Sequence, residues 1–406
     1  DVIVKVGKNL TGDITLDATD CHIFPGFVDL HAHLREPGRE DTETIETASR
    51  AGAKGGYTAL IAMPNTNPAH DSVTVIEFVR EQGRKAGLLD VFPSGCITMG
   101  RQGEALAPLA ELSAAGVRIF TDDGSGVQDP VLMGRAMQYA KSLGVTMAQH
   151  CEVSALTQGA VMNECGCSSD MGVPGWPAIA EEMMVQRDIE MSRVTGASVH
   201  FLHLSTARSV DLVRDAKAEG LNVTAEVTPH HLSLTQELLT TFDPVYKVNP
   251  PLRTESDVHA LREALADGTI DIVATDHAPH PTEAKECEWQ EAAFGMLGLE
   301  TALSIVQKTM VDTGLMNWAQ VAERMSITPA RIGGYENQGQ ALVAGSIANL
   351  VVINPTQKWT VDRDLVLSNS SNTPYHGHEL PGVITHTFYK GVATLINGNL
   401  SSIGGM

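Results

Sequence analysis

Eight short apolar runs recur between residues 26 and 275, and helical patterns separate most of them. The runs cover 26–34, 57–63, 91–97, 117–121, 145–150, 198–204, 222–227 and 271–275. Helical stretches fall at 42–54, 72–86, 130–143, 179–195 and 207–219, and further helical patterns at 297–311 and 318–325. Repeated strand–helix order predicts an α/β protein with a parallel sheet covered by helices. Eight strands are the count of a closed (β/α)8 TIM barrel. An open doubly wound sheet is the runner-up, but no GxGxxG loop follows the first run. The two ends read differently. Residues 2–6, 14–16 and 22–24 look like short strands between Gly, Asn and Asp turns, and 349–354 with 382–396 become β-like again. The expected division is therefore a barrel over 25–344 and a small β-domain built from both termini, 1–24 and 345–406.

In such barrels functional groups gather at the C-terminal ends of the strands. His31-Ala32-His33 closes the first run, Asp122-Asp123 the fourth, His150 the fifth, His203 the sixth and Asp276 the eighth. On a strand His31 and His33 point the same way, so both can reach one ion. Singly, each has a bland explanation: Asp122-Asp123-Gly124 reads as a turn, and a lone histidine after an apolar run reads as packing. Jointly, four histidines and two aspartates at one rim are hard to explain by packing, because buried unpaired carboxylates are costly and a metal removes that cost. The nitrogen and oxygen donors suit Zn2+ and also Mn2+ or Co2+. Six ligands exceed one tetrahedral ion, so two ions bridged by a carboxylate are expected. Such ions acidify water toward neutrality, and Asp276 is then the group to shuttle the proton as general base and acid. That is the apparatus of a hydrolase acting on a carbonyl.

Composition narrows the partners. The formal net charge is -21, with 28 Lys+Arg against 49 Asp+Glu. Neither nucleic acid nor an anionic membrane suits so acidic a chain without a basic patch. No apolar run approaches the ~20 residues that span a bilayer. The six cysteines show no framework spacing. Cys165-Gly166-Cys167 reads as a loop with two free thiols, since no second pair completes a metal or redox site. Free cysteines and the lack of a secretory leader fit a cytoplasmic protein.

The strings VDLHAHLREPG, MPNTNP, FTDDGSGVQ, AQHCE, HLSTARSV, TAEVTPHHL, KVNPPLR and ATDHAPH run in order from Gly26 to about Gly298. With them the chain resembles the dihydroorotase family of the amidohydrolase superfamily, of the bacterial pyrimidine-biosynthesis type. The resemblance implies roles for residues as well as a fold. His31, His33 and Asp276 would hold one Zn2+, and His150 and His203 the second, two per chain. Asp123 would bridge them, where related enzymes use a carboxylated lysine; the family spacing favours Asp123 over Asp122. Arg35 and Asn65 look like the grip on the substrate carboxylate, with His280 as a third partner, and arginine can make that grip with two parallel bonds. Asn249 and the backbone at Phe294-Gly295 resemble the contacts to the pyrimidine ring, and His33 lies at the substrate as well. His277 reads as a supporting histidine and not a ligand, and His230 and His231 as structural. Residues 281–293 are polar and aperiodic, which suits a mobile loop over the site or an ordinary surface loop.

The activity implied is the reversible cyclisation of N-carbamoyl-L-aspartate to L-dihydroorotate in de novo pyrimidine (UMP) synthesis, by a cytoplasmic homo-oligomer, a dimer. Two alternatives share the fold. A dihydropyrimidinase, hydantoinase or allantoinase would carry a lysine in place of Asp123 and need no arginine for a ring carboxylate. A non-catalytic partner of aspartate transcarbamoylase would have lost metal ligands, whereas all six are here; an enzyme whose activity depends on that partner is the softer version. The resemblance also implies about two dozen further residues before Asp1, adding strands to the β-domain.

Overall fold

The computed structural model describes residues 1–401. The short strand β1 (His22–Pro25) leads into β2 (Phe27–Ala32), after which β3 (Tyr57–Ala62), β4 (Asp90–Pro93), β5 (Ile119–Thr121) and β6 (Thr146–Gln149) follow in turn. A small excursion carries β7 (Met162–Asn163) and β8 (Gly175–Trp176), paired with each other. The main series resumes with β9 (Ser198–Phe201), β10 (Val223–Val227) and β11 (Ile272–Val273).

Strands β2, β3 and β4 form one parallel group, and β5, β6, β9, β10 and β11 another. Parallel bridges close both gaps, Gly95 to Phe120 on one side and Ala32 to His277 on the other. The eight expected runs therefore make a closed ring in sequence order. An apolar cluster lies inside it, drawing Val28, Leu30, Ala59, Ile61, Ile119, Ala148, Leu202 and Ile272 from around the barrel. A larger cluster fills the layer between ring and helices, with Ile45, Ala48, Leu60, Ile76, Met133, Val185, Val213 and Leu261 among its members.

The helices follow their sequence signals closely. Asp129 caps the helix Pro130–Leu143, its carboxylate accepting from the Val131 and Leu132 amides, with Pro at the first turn and left-handed Gly144 at the end. Ile179–Thr195 and Ala207–Ala218 likewise begin where the pattern begins. The two later patterns are interrupted. Ala302–Val306 passes into a π turn at Gln307–Val311, and Trp318–Ala322 into another at Glu323–Ile327.

The C-terminal part is antiparallel: β1 pairs with β12 (Leu350–Thr360), then follow β13 (Glu379–Tyr389), β14 (Val392–Ile396) and β15 (Asn399–Leu400). Lys390 and Gly391, with φ of 50° and 81°, supply the tight two-residue turn between β13 and β14. Both chain ends thus contribute to one sheet, as expected. Two expected strands are corrected. Residues 2–6 make only a bridge from Val2 to Ile347, and 14–16 form no strand. Their side chains explain it, because Val4 is 85% and Ile14 92% exposed, and a strand without a paired neighbour holds no ladder. Residues 402–406 of the expected β-domain lie outside the described residues.

Cys165 and Cys167 form a disulfide, correcting the reading of two free thiols. Two thiols one residue apart can bond to each other and need no second pair. Among the described residues Cys21, Cys96, Cys151 and Cys287 are free.

Candidate metal centre

Because β2, β5, β6, β9 and β11 are parallel, the residues at their C-terminal ends converge on one rim. His31 lies within β2 and His33 just beyond it; Asp123, His150, His203 and Asp276 follow their strands by one to three residues. All six are buried. Three rim residues depart from ordinary backbone: φ is 61° at Arg35, 31° at His203 and 45° at Asp276. Non-glycine residues adopt such angles only when their surroundings enforce them, and such strain clusters at functional sites.

Asp123 is the hub. Its carboxylate lies 3.5 Å from His31 Nε2, 3.4 Å from His33 Nε2, 3.6 Å from His150 Nδ1 and 3.6 Å from His203 Nε2. Asp276 Oδ1 stands 3.4 Å from His31 Nε2 and 3.0 Å from His33 Nε2. His31, His33 and Asp123 form one group able to hold a metal ion, and Asp123, His150 and His203 a second. Asp123 alone is common to both. Asp122 is spoken for elsewhere: its carboxylate accepts from the Ile97 amide at 2.8 Å, the Thr98 amide at 3.1 Å and the Thr98 hydroxyl. Replacing Asp122 with Ala strands two buried amides, so it should cost about 2–4 kcal/mol of stability. Metal content should be unchanged in that variant, as elemental analysis after a thermal melt would check.

The outward ring nitrogens decide what the inward ones present. His31 Nδ1 donates to Glu226 Oε1 at 2.6 Å and His150 Nε2 to Glu152 Oε2 at 3.0 Å, while His33 lies between Asn65 Oδ1, 2.9 Å from its Nδ1, and Asp276 Oδ1, 3.0 Å from its Nε2. In neutral His31 and His150 rings the proton is thereby held outward and a lone pair faces Asp123. His31 Nε2 is buried without a hydrogen-bond partner. Lone pairs facing carboxylate oxygens at this range repel, unless a cation sits among them.

The electrostatics show the same demand for positive charge, which protons on the rings meet when no cation lies among them. Burial opposes charge on His31, but Asp123, Glu226 and Asp276 outweigh it and lift its pKa well above the ordinary value. Burial likewise opposes charge on His150, yet Asp123 and Glu152 raise it to about 9. Burial pushes the carboxyls of Asp123 and Asp276 up, and the surrounding imidazoles more than reverse it, holding both below the usual range. Glu226 is brought down to about 2 in the same way. This centre is built to surround positive charge, and its N/O donors fit divalent transition metals.

Beside it stands Arg35, only 4% exposed. Its Nε donates to the Pro279 carbonyl at 3.2 Å, and its Nη2 lies 3.4 Å from His280 Nε2. Among the described residues no carboxylate forms an ion pair with it. Burial, then Arg39, lowers its pKa to about 9. His280 Nε2 also donates to the Phe294 carbonyl at 2.8 Å, which links it to the Phe294-Gly295 backbone. A Cβ on Gly295 would come within 2.8 Å of His280 Nε2, so the close approach requires glycine. Asn65 meets the centre through His33, and Asn249 through Glu152, whose Oε2 accepts from Asn249 Nδ2 at 3.2 Å.

The supporting histidines sort themselves. His277 lies 3.3 Å from Glu43 Oε2 and accepts the Gly298 amide, away from the hub. His231 is held by Thr228 and the Pro250 carbonyl, whereas His230 Nε2 is buried without a partner. The 281–293 segment is seated by two lysines. Lys285 donates to the carbonyls of Lys247, Ala293 and Gly295, and Lys247 to those of Trp289 and Gln290. Sequence reading passed over Glu226, Glu152 and these lysines. A glutamate inside the apolar run of β10 was the available signal for Glu226.

A family model described as Dihydro-orotase-like matches residues 21–209. A dihydroorotase of Streptomyces coelicolor is 54% identical over 404 residues, which is 98% of this chain and 94% of that protein. The chain belongs to the dihydroorotase family. The family's Mycobacterium tuberculosis member, also named dihydroorotase, is 48% identical over 98% of this chain and 94% of its own length. Solved structures give the fold. An L-hydantoinase (dihydropyrimidinase) from Arthrobacter aurescens superposes with TM-score 0.86 at 24% identity, covering 97% of this chain and 89% of that one. A dihydropyrimidinase from Brevibacillus agri gives 0.84 at 22%, covering 98% and 90%. This chain thus shares its fold with these enzymes.

Proposed function

We propose that this chain is a dihydroorotase, a hydrolase of a cyclic amide that interconverts L-dihydroorotate and N-carbamoyl-L-aspartate. Ring opening consumes water, and closure, the direction of pyrimidine synthesis, releases it. The observation that carries the substrate is Arg35: a buried guanidinium without a carboxylate partner, set beside a carbonyl-hydrolysing rim, calls for an anionic ligand. Dihydroorotate brings a carboxylate; dihydrouracil, hydantoin and allantoin do not. The hydantoinase-like neighbours, below 25% identity, speak for the fold only.

His31, His33 and Asp276 would hold one zinc ion, His150 and His203 the other, and Asp123 both. When bound, such a pair acidifies water and withdraws electrons from the ring carbonyl. The chain's own groups do the rest. Arg35 and Asn65 fix the carboxylate, with His280 the third partner once its Nε2–H turns from the Phe294 carbonyl to the ligand, and Asn249 with the Phe294-Gly295 backbone fixes the ring, so that the amide carbon meets water in one orientation. Asp276, ionised through its neighbouring imidazoles, takes the proton released by water and delivers it to the departing ring nitrogen.

Zinc analysis should find two ions per chain, and dihydroorotate hydrolysis should be lost on chelation and recovered on adding zinc. Arg35→Ala should lower kcat/KM for dihydroorotate about 10–100-fold, the worth of a charged hydrogen-bonded contact. A wild-type preference for dihydrouracil or allantoin, untouched by Arg35→Ala, would reverse the assignment. The units 25–344 and 1–24 with 345–406 are taken as barrel and β-domain. Among the described residues no helix is long and apolar enough to cross a membrane. For assembly we propose a homodimer in the cytoplasm, with aspartate transcarbamoylase as a further partner; sedimentation of the chain alone and with that enzyme tests both.

A further inference from the structure

Glu152 sits two residues beyond His150, mostly buried, and is neither a proposed metal ligand nor a proposed substrate contact. Its Oε2 accepts two hydrogen bonds, from His150 Nε2 at 3.0 Å and from Asn249 Nδ2 at 3.2 Å. The Thr157 hydroxyl donates to Oε1. An ionised carboxylate can only accept, so both partners must turn a donor toward it. For His150 this leaves the Nδ1 lone pair facing His203 Nε2 at 2.9 Å and Asp123 at 3.6 Å. For Asn249 it fixes which way round the amide lies: the NH2 is committed to Glu152, and Oδ1 is left over. That Oδ1 is buried and has no hydrogen-bond partner. A buried acceptor left empty selects for a ligand that brings a donor, because leaving it unfilled forfeits the hydrogen bonds it had in water.

We propose that Glu152 is a positioning and specificity residue that joins the metal side of the site to the ring side. One carboxylate oxygen sets the His150 tautomer and locks Asn249 as an acceptor, so that the site takes a ring carrying an N–H at that edge and rejects the N-alkylated ring. This rests on the dihydroorotase reading for the identity of the ring, but Glu152's hold on His150 does not.

Glu152→Gln is the informative variant, since it keeps shape and presents one acceptor and one donor. It frees the Asn249 amide to turn over. We expect KM for dihydroorotate to rise about tenfold with kcat within about threefold, the loss of one oriented hydrogen bond. In an Asn249→Ala background the same change should add nothing to KM. Wild type should discriminate at least about tenfold against one of the two singly N-methylated dihydroorotates, and Glu152→Gln should narrow that ratio. Glu152→Ala should in addition release zinc to a competing chelator at about 10–100-fold lower chelator concentration, with Asn249→Ala unchanged in that assay. An unaltered KM in Glu152→Gln, KM effects of the two sites that multiply, or a Glu152→Ala protein that keeps zinc like wild type would each overturn the proposal. Wild type that fails to turn over dihydroorotate would sink the functional reading instead, and the chelator titration would still decide whether Glu152 holds His150.

Discussion

Replacing Asp276 with Ala should lower kcat for dihydroorotate by about 10³-fold or more, with zinc still bound to the chain. The residue has a double position. Its Oδ1 lies 3.0 Å from His33 Nε2 and 3.4 Å from His31 Nε2, yet it is outside both groups that share Asp123. Loss of the carboxylate therefore removes one donor from one side of the centre and leaves the His150, His203 and Asp123 group whole. It also removes the carboxylate assigned to proton transfer. Without a carrier, the ring nitrogen must leave as an anion or wait for solvent, which is the larger part of the expected loss. The conservative Asp276→Asn variant keeps size and hydrogen bonding while abolishing the base, and should be equally slow. Elemental analysis beside single-turnover assays of ring opening gives the answer. An Asp276→Ala enzyme within about tenfold of wild type would remove the proton carrier from the mechanism.

Much of this was legible along the chain, and the reasons differ by element. The barrel strands could be read because each is a short apolar run bounded by turn residues, and burial on both faces writes that pattern plainly. The rim was legible because parallel strands put their ends together whatever their order in sequence, so His31, Asp123, His150, His203 and Asp276 had one place to meet. Residues 2–6 and 14–16 misled because alternation records a tendency to pair, while pairing itself depends on a neighbour. Glu226 and Glu152 were missed for a related reason. Their meaning lies in what they touch, and Glu226 meets His31 across 195 positions of sequence. The Cys165–Cys167 bridge is not legible from spacing, because the framework rules for metal and redox pairs do not apply to two thiols with a single residue between them. Asp122 against Asp123 is the sharpest case. The two neighbours are chemically identical, and only the Ile97 and Thr98 amides that occupy one of them separate their roles.

Asp123→Ala should have the widest effect on the metal centre. Each imidazole serves one group, whereas Asp123 stands within 3.4 to 3.6 Å of all four of them and belongs to both groups. For the two ions proposed above, its removal would take a negative ligand from each at once and leave four imidazoles around a cavity with less charge to balance two dications. Loss of supporting hydrogen bonds alone weakens metal binding about 10–100-fold, and loss of a shared direct ligand should exceed that at both positions. The variant should retain at most one zinc per chain after dialysis and show no measurable ring opening. Stability supplies a second readout. A ligand that binds the folded chain alone stabilises it by about 4 kcal/mol at a thousandfold over its Kd, so the wild-type Tm should climb as zinc is added. That climb should be largely absent in Asp123→Ala and intact in Asp122→Ala, although the latter starts from a lower Tm. Two zinc ions retained at wild-type affinity in the Asp123 variant would mean that the ions do not share this carboxylate, and the centre would have to be rebuilt around Asp276.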